Sequence, residues 1–192
     1  MLKPFMRAAA AALPLLALLA GSCNSPARYV TVDGTMLGTT MHVVADVGPS
    51  ARQELYRAAM RLDAEAKASM SIFDSTSLLS RLNRNLTDSV DRHIAFNLAL
   101  ADSIGRLSGG RYDVTVKPLV EAWGFAGRER TLHPNLDSLL AFVGRDKVRI
   151  VDGRLVKSDP RVQLDFNSVA KGYTVDLLAQ LAAHFRTVAD RL

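Results

Sequence analysis

The chain has 192 residues, of which 48% are hydrophobic, 22% charged and 6% aromatic. That balance excludes collagen-like, coiled-coil and wholly disordered chains. A single cysteine excludes a disulfide framework and a thiolate zinc cluster, and the 24 basic and 19 acidic residues, spread without a block of like charge, give no nucleic-acid stripe.

Met1 to Ser22 read as an export signal. Lys3 and Arg7 form a positive start, and Ala8 to Ala20 is an uncharged Ala/Leu-rich run interrupted only by Pro14. The run is too short to span a bilayer and suits the apolar core of a signal peptide. It ends in Leu19-Ala20-Gly21-Ser22-Cys23, which resembles a lipobox whose cysteine is lipidated and becomes the new first residue. Ser22 stands where Gly or Ala is usual. The plainer alternative is an ordinary cleaved signal with an incidental cysteine. The lipobox makes residues 23–192 the mature domain, anchored to the membrane through Cys23 on the periplasmic face of the cell envelope.

In the mature part, Tyr29 to Val32 and Thr39 to Ala45 read as strands, with Gly34 and Gly38 between them. Ser50 with Gln53 makes a capping-box signature, and Leu55, Ala59, Leu62 and Ala66 share one helix face. On that helix Asp63 and Glu65 are expected on the solvated side. Met70 to Asn83 reads as a Ser/Asp-rich loop with a short helical piece near Leu78 to Leu82. Asp91 is the expected N-cap of a helix running to Ser108, with Phe96, Leu100, Ile104 and Leu107 on its apolar face and Gly109-Gly110 as its stop.

Tyr112 to Val116 reads as a strand. Pro118 opens a short helix toward Trp123, and Pro134 opens another with Leu136, Leu139, Leu140 and Val143 apolar. Lys147 to Val151 and Arg154 to Lys157 flank Asp152-Gly153, the strongest hairpin signal in the chain. Val162 to Phe166 is a further strand. A last helix runs from about Ser168, with Val175, Leu178, Leu181, Ala182 and Phe185 giving its apolar face. Helices mixed with antiparallel strands and hairpins argue an α+β fold rather than a doubly wound sheet.

Three segments could carry chemistry. Gln163 to Asp176 reads as strand, tight turn and helix start. The N–H groups and dipole of a helix start favour an anion. Ser168 adds a hydroxyl at the expected cap, Lys171 a cation one turn in, and Gly172 room for close approach. Asp165, at the strand end, could accept a base or ribose hydrogen bond or help hold a metal. A capped helix with a solvated lysine explains the same residues equally well. In Gly109 to Phe125, Tyr112 and Trp123 could stack on a flat ligand and Asp113 receive its polar edge, though a core role for both aromatics is the simpler reading. In Gly34 to Thr40 a plain hairpin turn is the default. The four histidines show no zinc spacing, and no nucleophile elbow or Walker loop occurs.

Gly34-Thr-Met-Leu-Gly-Thr39, then Ser71-Ile-Phe73 with Ser77 to Asn83, then Gly110-Arg-Tyr-Asp-Val-Thr-Val116 running into Trp123-Gly-Phe125, then Asp165 to Asp176 follow one another in an order that resembles the ApbE family. These are exported, often lipid-anchored FAD:protein FMN transferases with a T-fold-like domain. The resemblance covers nearly all of the mature chain.

It implies an enzyme that splits the FAD pyrophosphate with Mg2+, passes FMN to a Thr or Ser hydroxyl of a target flavoprotein and releases AMP. Some relatives mainly hydrolyse FAD as pyrophosphatases. Leu37 stands where a flavin-pocket methionine is usual, and Phe73 matches an aromatic of the loop before the Ser-rich motif. Arg111, Tyr112 and Asp113 match a FAD-contacting triplet. Asp165 and Lys171 match FAD-binding positions, and Ser168 a position that binds magnesium. Members continue past the last helix with an Asp and a Thr or Ser in a DA-x-x-T/S-type motif that completes the metal site. The 192 residues contain no such motif. The expectation is the N-terminal part of a longer domain that by itself binds FAD weakly and transfers nothing detectable. The alternatives are a lipid-anchored flavin-binding remnant and a structural envelope lipoprotein.

Overall fold

The computed structural model describes residues 29–125 and 129–189, with side chains to residue 186. Cys23 and the whole export signal lie outside the described residues. β1 (Val30–Met36) and β2 (Thr39–Ala45) form an antiparallel hairpin in which Met36 faces Thr39 and Val30 faces Ala45. Its two-residue turn puts Leu37 at φ 48° and Gly38 at φ 73°. Two consecutive left-handed residues give the turn whose twist matches that of the strands. β1 extends through Gly34 to Met36, beyond the expected end at Val32, because pairing across so tight a turn runs right up to it.

α1 (Arg52–Met70) buries Leu55, Ala59, Leu62 and Ala66, as their spacing requires. The expected capping box is absent. Ser50 lies in a 3-10 turn, Pro49–Ala51, and Ala51 ends it without a side-chain cap. α2 (Leu78–Asn83) is capped by Ser77, which accepts the Ser80 N–H. α3 (Arg92–Leu107) is capped by Asp91, as expected, through a 2.8 Å bond from the Ile94 N–H.

The apolar face of α3 differs from the expected one. Ile94, Leu98 and Ala101 are buried, whereas Phe96 is half exposed and Leu107 89% exposed. The inward face also carries Gly105, where an added Cβ would lie 3.0 Å from the Tyr112 carbonyl oxygen. Close backbone approach therefore selects the face with small residues over the face with large ones. Phe96 instead stacks on Tyr173, ring centroids 4.7 Å apart.

α4 (Lys117–Ala122) and α5 (Leu136–Leu140) are short. β3 (Val148–Val151) and β4 (Arg154–Lys157) close the second hairpin around Asp152-Gly153 at φ 50° and 72°. α6 (Ala170–Ala189) ends the described chain.

Two expected strands form no ladder: Tyr112 to Val116 turns at Val114-Thr115, Val162 to Phe166 is a largely buried irregular segment, and the two meet in one isolated parallel bridge between Val116 and Gln163. Side chains take the place of a neighbouring strand. Asn83 donates its Nδ2 to the Leu164 carbonyl at 2.8 Å and accepts the Leu164 N–H on Oδ1 at 2.7 Å. The Asp165 N–H reaches the Val114 carbonyl at 2.8 Å, and Asp113 accepts both the N–H and the hydroxyl of Thr115. β-branched residues made both segments look like strands, but their burial, not pairing, explains that composition.

The core has two parts. One joins Val30, Val32, Met36, Met41 and Ala45 of the hairpin to Leu55, Ala59 and Leu62 of α1 and Leu178 of α6. The other packs Ala66 and Met70 with Leu79, Ile94, Leu164 and Phe166. Leu164 and Phe166 are fully buried, which contributes about 1.5–3 kcal/mol for each side chain.

Asn83→Ala would leave the Leu164 N–H and C=O buried without partners, at about 1–3 kcal/mol for each group. A lower urea midpoint with an unchanged denaturant slope is the expected result. A second outcome concerns His93, which is buried with its Nδ1 2.9 Å from the Tyr173 hydroxyl. Burial holds its pKa below the ordinary value of 6.5, outweighing the attraction of Asp91. Above pH 6.5 the ring is neutral in both states and contributes no pH dependence. Below it the unfolded chain takes up the proton first, so stability falls as the medium is acidified. Denaturation at pH 7.5 and 5.5 should show that loss in the native protein and a smaller one in His93→Gln.

Candidate functional site

The hairpin turn, the C-terminal end of α1 and the start of α6 meet around a cavity of about 710 Å3. Leu37, Phe73 and Lys171 line it, with Lys67, Met70 and Asn167 between them. Three of the expected flavin-site residues, distant in sequence, thus share one opening of a size that suits a nucleotide-like ligand.

Each is held by its element. The Leu37 N–H donates to Asp63 Oδ1 at 2.8 Å, and Lys67 pairs with Asp63 Oδ2 at 2.6 Å. Asp63 is buried, contrary to the expectation that it faces solvent. The signal was present in the sequence, because position 63 falls four after Ala59 and three before Ala66, on the apolar stripe itself. Glu65 does face solvent, where it pairs with Arg92.

Phe73 is 71% exposed at the cavity rim. The loop beneath it is stapled by its own polar residues. The N–H groups of Phe73 and Asp74 both donate to Ser71 Oγ, and the Ser77 and Ser80 hydroxyls donate to the Ser71 carbonyl. Asp74 accepts the N–H and hydroxyl of Thr76, which lowers its pKa from the ordinary carboxylate value. The Ser/Asp-rich composition of this stretch builds a fixed platform for an exposed aromatic ring.

Lys171 is exposed and has no hydrogen-bond or ion-pair partner among the described residues. A Cβ added at Gly172 would meet nothing within 4 Å. Ser168 is not the helix cap. It lies in the turn before α6, and its hydroxyl sits 2.8 Å from the Tyr112 hydroxyl. Burial, reinforced by the negative charges of Asp165 and Asp113, raises the Tyr112 phenol above its ordinary value of 10.0 against the lowering effect of the Ser168 bond. Tyr112 is therefore a neutral hydroxyl at physiological pH. Asp165 is buried and accepts the Asn167 N–H at 2.8 Å, so it shapes the turn that presents Asn167 to the cavity.

Arg111 and Asp113 lie elsewhere. Arg111 is exposed and donates to the Ser108 carbonyl at 3.3 Å. Asp113 borders a separate cavity of about 440 Å3 with Ala101 and Arg145. Of the expected triplet, Tyr112 alone reaches the start of α6. The sequence reading missed Asp63 and Asn167.

The donor set does not fit a magnesium ion. Among the described residues no three His, Cys, Asp or Glu side chains come together. Ser168 offers one hydroxyl already shared with Tyr112, and Asp165 Oδ1 is engaged by Asn167. Mg2+ requires an oxygen-rich octahedral shell, which these two side chains do not supply.

The α+β scaffold opens a cavity between a hairpin turn and a helix start, with an exposed aromatic ring and a lysine among its lining residues. Residues 37–189 match the family described as the ApbE family, and the chain belongs to it. It is similar to the FAD:protein FMN transferase of Haemophilus influenzae, 31% identical over 180 residues that cover 86% of this chain and 52% of the relative. The Vibrio cholerae enzyme of the same name is 32% identical over 177 residues, covering 88% of this chain and 53% of the relative. Among solved structures it resembles the flavin transferase ApbE of Vibrio cholerae, with TM-score 0.73 and 30% identity over 81% of this chain and 53% of that one. The apo flavinyl transferase ApbE of Pseudomonas stutzeri aligns with TM-score 0.75 and 25% identity, over 82% and 53%. The chain spans about half the length of the curated relatives it matches.

Asp63→Ala would leave the Leu37 N–H without an acceptor, at a cost of about 1–3 kcal/mol. A lower melting temperature and faster hydrogen exchange at the Leu37 amide are the expected results, with Asp63→Asn, which keeps an acceptor for the Leu37 N–H but gives up the Lys67 pair, falling between Asp63→Ala and the native protein.

Proposed function

We infer that this chain binds FAD in the cavity between the β1–β2 turn, Phe73 and Lys171, as the flavin-binding part of an FAD:protein FMN transferase. The observation that carries the reading is the convergence of Leu37, Phe73 and Lys171 on one opening. Phe73 and Leu37 supply a flat apolar wall for a ring. The unpaired Lys171 ammonium supplies the charge a pyrophosphate needs, at a helix start whose dipole has the same sign. Relatives named as FAD:protein FMN transferases support the ligand.

In the transfer, the oxygen of an acceptor Ser or Thr hydroxyl forms a bond to the FMN phosphorus. The bond to the bridging pyrophosphate oxygen breaks, AMP leaves with that electron pair, and the hydroxyl proton is lost. The chain's own contribution is positioning and charge neutralisation, which dominate phosphoryl-type transfer. The acceptor is a flavoprotein presenting that hydroxyl. The shortage of metal donors favours a second reading for this polypeptide by itself: flavin binding without turnover. The lipid anchor at Cys23, and with it a place on the periplasmic face of the membrane, rests on the Leu19 to Cys23 sequence.

Titration of residues 23–192 with FAD, followed by flavin fluorescence, should saturate, and Lys171→Ala should weaken binding about tenfold through loss of a charged contact. No saturable binding would refute the site. Mg2+-dependent release of AMP from FAD by the same protein would refute the reading of binding without turnover.

A further inference from the structure

Residues 63, 67 and 70 fall on a single stripe along α1, at about one-turn spacing. Asp63 lies under the β1–β2 turn, where it accepts the Leu37 N–H. Lys67 and Met70 line the flavin cavity itself. Met70 is held from behind, because the fully buried Asn97 of α3 donates its Nδ2 to the Met70 Sδ at 3.1 Å. Phe73 follows on the same side of the opening. The wall that suits a flat ring thus consists of a thioether and an aromatic ring with an ammonium beside them.

The cavity contains two lysines of different character. Lys171, at the start of α6, has no hydrogen-bond or ion-pair partner among the described residues, so its full charge is available to an anion. Lys67 is paired with Asp63 Oδ2 at 2.6 Å. The Asp63 side chain is 12% exposed and that of Lys67 47%, so the acid lies behind and the lysine in front. Two opposite charges this close nearly cancel at a distance, which leaves Lys67 poorly suited to attract phosphate. An ammonium carries three N–H donors and no acceptor. One serves Asp63, and the others suit the carbonyl and ring-nitrogen acceptors of a neutral heterocycle. Because the same carboxylate holds the Leu37 amide and the Lys67 ammonium, both groups lie at the same end of the cavity.

We propose that Lys67, oriented by Asp63, is a specificity-determining residue that donates to the acceptor edge of a flavin ring seated against Phe73 and Leu37. This role rests on the FAD binding inferred above. The pyrimidine edge of a flavin presents two carbonyl oxygens and ring nitrogens as acceptors. Adenine presents an exocyclic amino group there, and an amino donor facing a donor-only ammonium leaves both unpaired. A site built to hydrogen-bond one ring rejects another that cannot complete the bond. The two lysines therefore divide the dinucleotide between them, Lys67 reading the ring and Lys171 holding the pyrophosphate. The plainer alternative is an i,i+4 pair that only neutralises Asp63, and it predicts no effect on the ligand.

The test titrates the full chain with riboflavin, which carries the ring without phosphate, and with FAD. Lys67→Met should weaken both by the same factor, about tenfold, through loss of a charge-assisted hydrogen bond. Lys171→Ala should weaken FAD more than riboflavin. Lys67→Gln keeps an N–H donor for Asp63 and the ring without the charge, and it carries the test if Lys67→Met does not fold. With it, riboflavin still binds, but the midpoint potential of the bound ring falls below that in the native chain, because a cation beside the ring favours the reduced anionic form. A Lys67→Met loss confined to FAD, or affinity and potential unmoved in the Lys67 variants, would overturn the role of Lys67 and leave the flavin reading intact. Native chain that binds FAD but not riboflavin would do the same. Native chain that binds neither would overturn both.

Discussion

A carboxylate buried in the middle of α1 fixes the hairpin to the helix layer. One oxygen of Asp63 accepts the Leu37 amide and the other the Lys67 ammonium. Burying a charge without partners would be prohibitive, and here both partners come from the elements that must be joined. The bond holds Leu37 in a left-handed conformation that a leucine rarely adopts. It places the turn at the mouth of the cavity that Phe73 and Lys171 line.

The long excursion between α1 and α6 serves the same end by different means. It leaves the hairpin core, builds a second core around Leu164 and Phe166, and returns at the turn before α6. Asn83 stands in for a strand there by pairing with both backbone groups of Leu164. Asp165 then shapes the turn that presents Asn167 and leads into Lys171. Residues more than a hundred positions apart meet because each is anchored by a short polar bridge to a buried frame.

Much of this was legible in the sequence where local chemistry decides it. Asp152-Gly153 marked a hairpin, Asp91 marked a helix start, and the 55–66 spacing marked a buried face. The reading went astray where tertiary context decides. Tyr112 to Val116 and Val162 to Phe166 have strand composition, yet side chains and a few single backbone bonds, not a ladder, satisfy their backbone. The buried face of α3 follows Gly105 and Ala101 because the Tyr112 backbone comes close. Of the candidate site, Leu37, Phe73 and Lys171 converge, whereas Arg111 and Asp113 point elsewhere. Asp63 was assigned to solvent although its position lay on the apolar stripe.

The flavin reading depends on one physical match: a dianionic pyrophosphate beside an unpaired lysine at a helix start, with a ring held between Phe73 and Leu37. The structure of the chain with saturating FAD tests it most directly. The account requires the pyrophosphate within hydrogen-bond reach of Lys171 Nζ and a ring of the dinucleotide in contact with Phe73 and Leu37. FAD bound at another surface, or a vacant cavity at saturation, would contradict it.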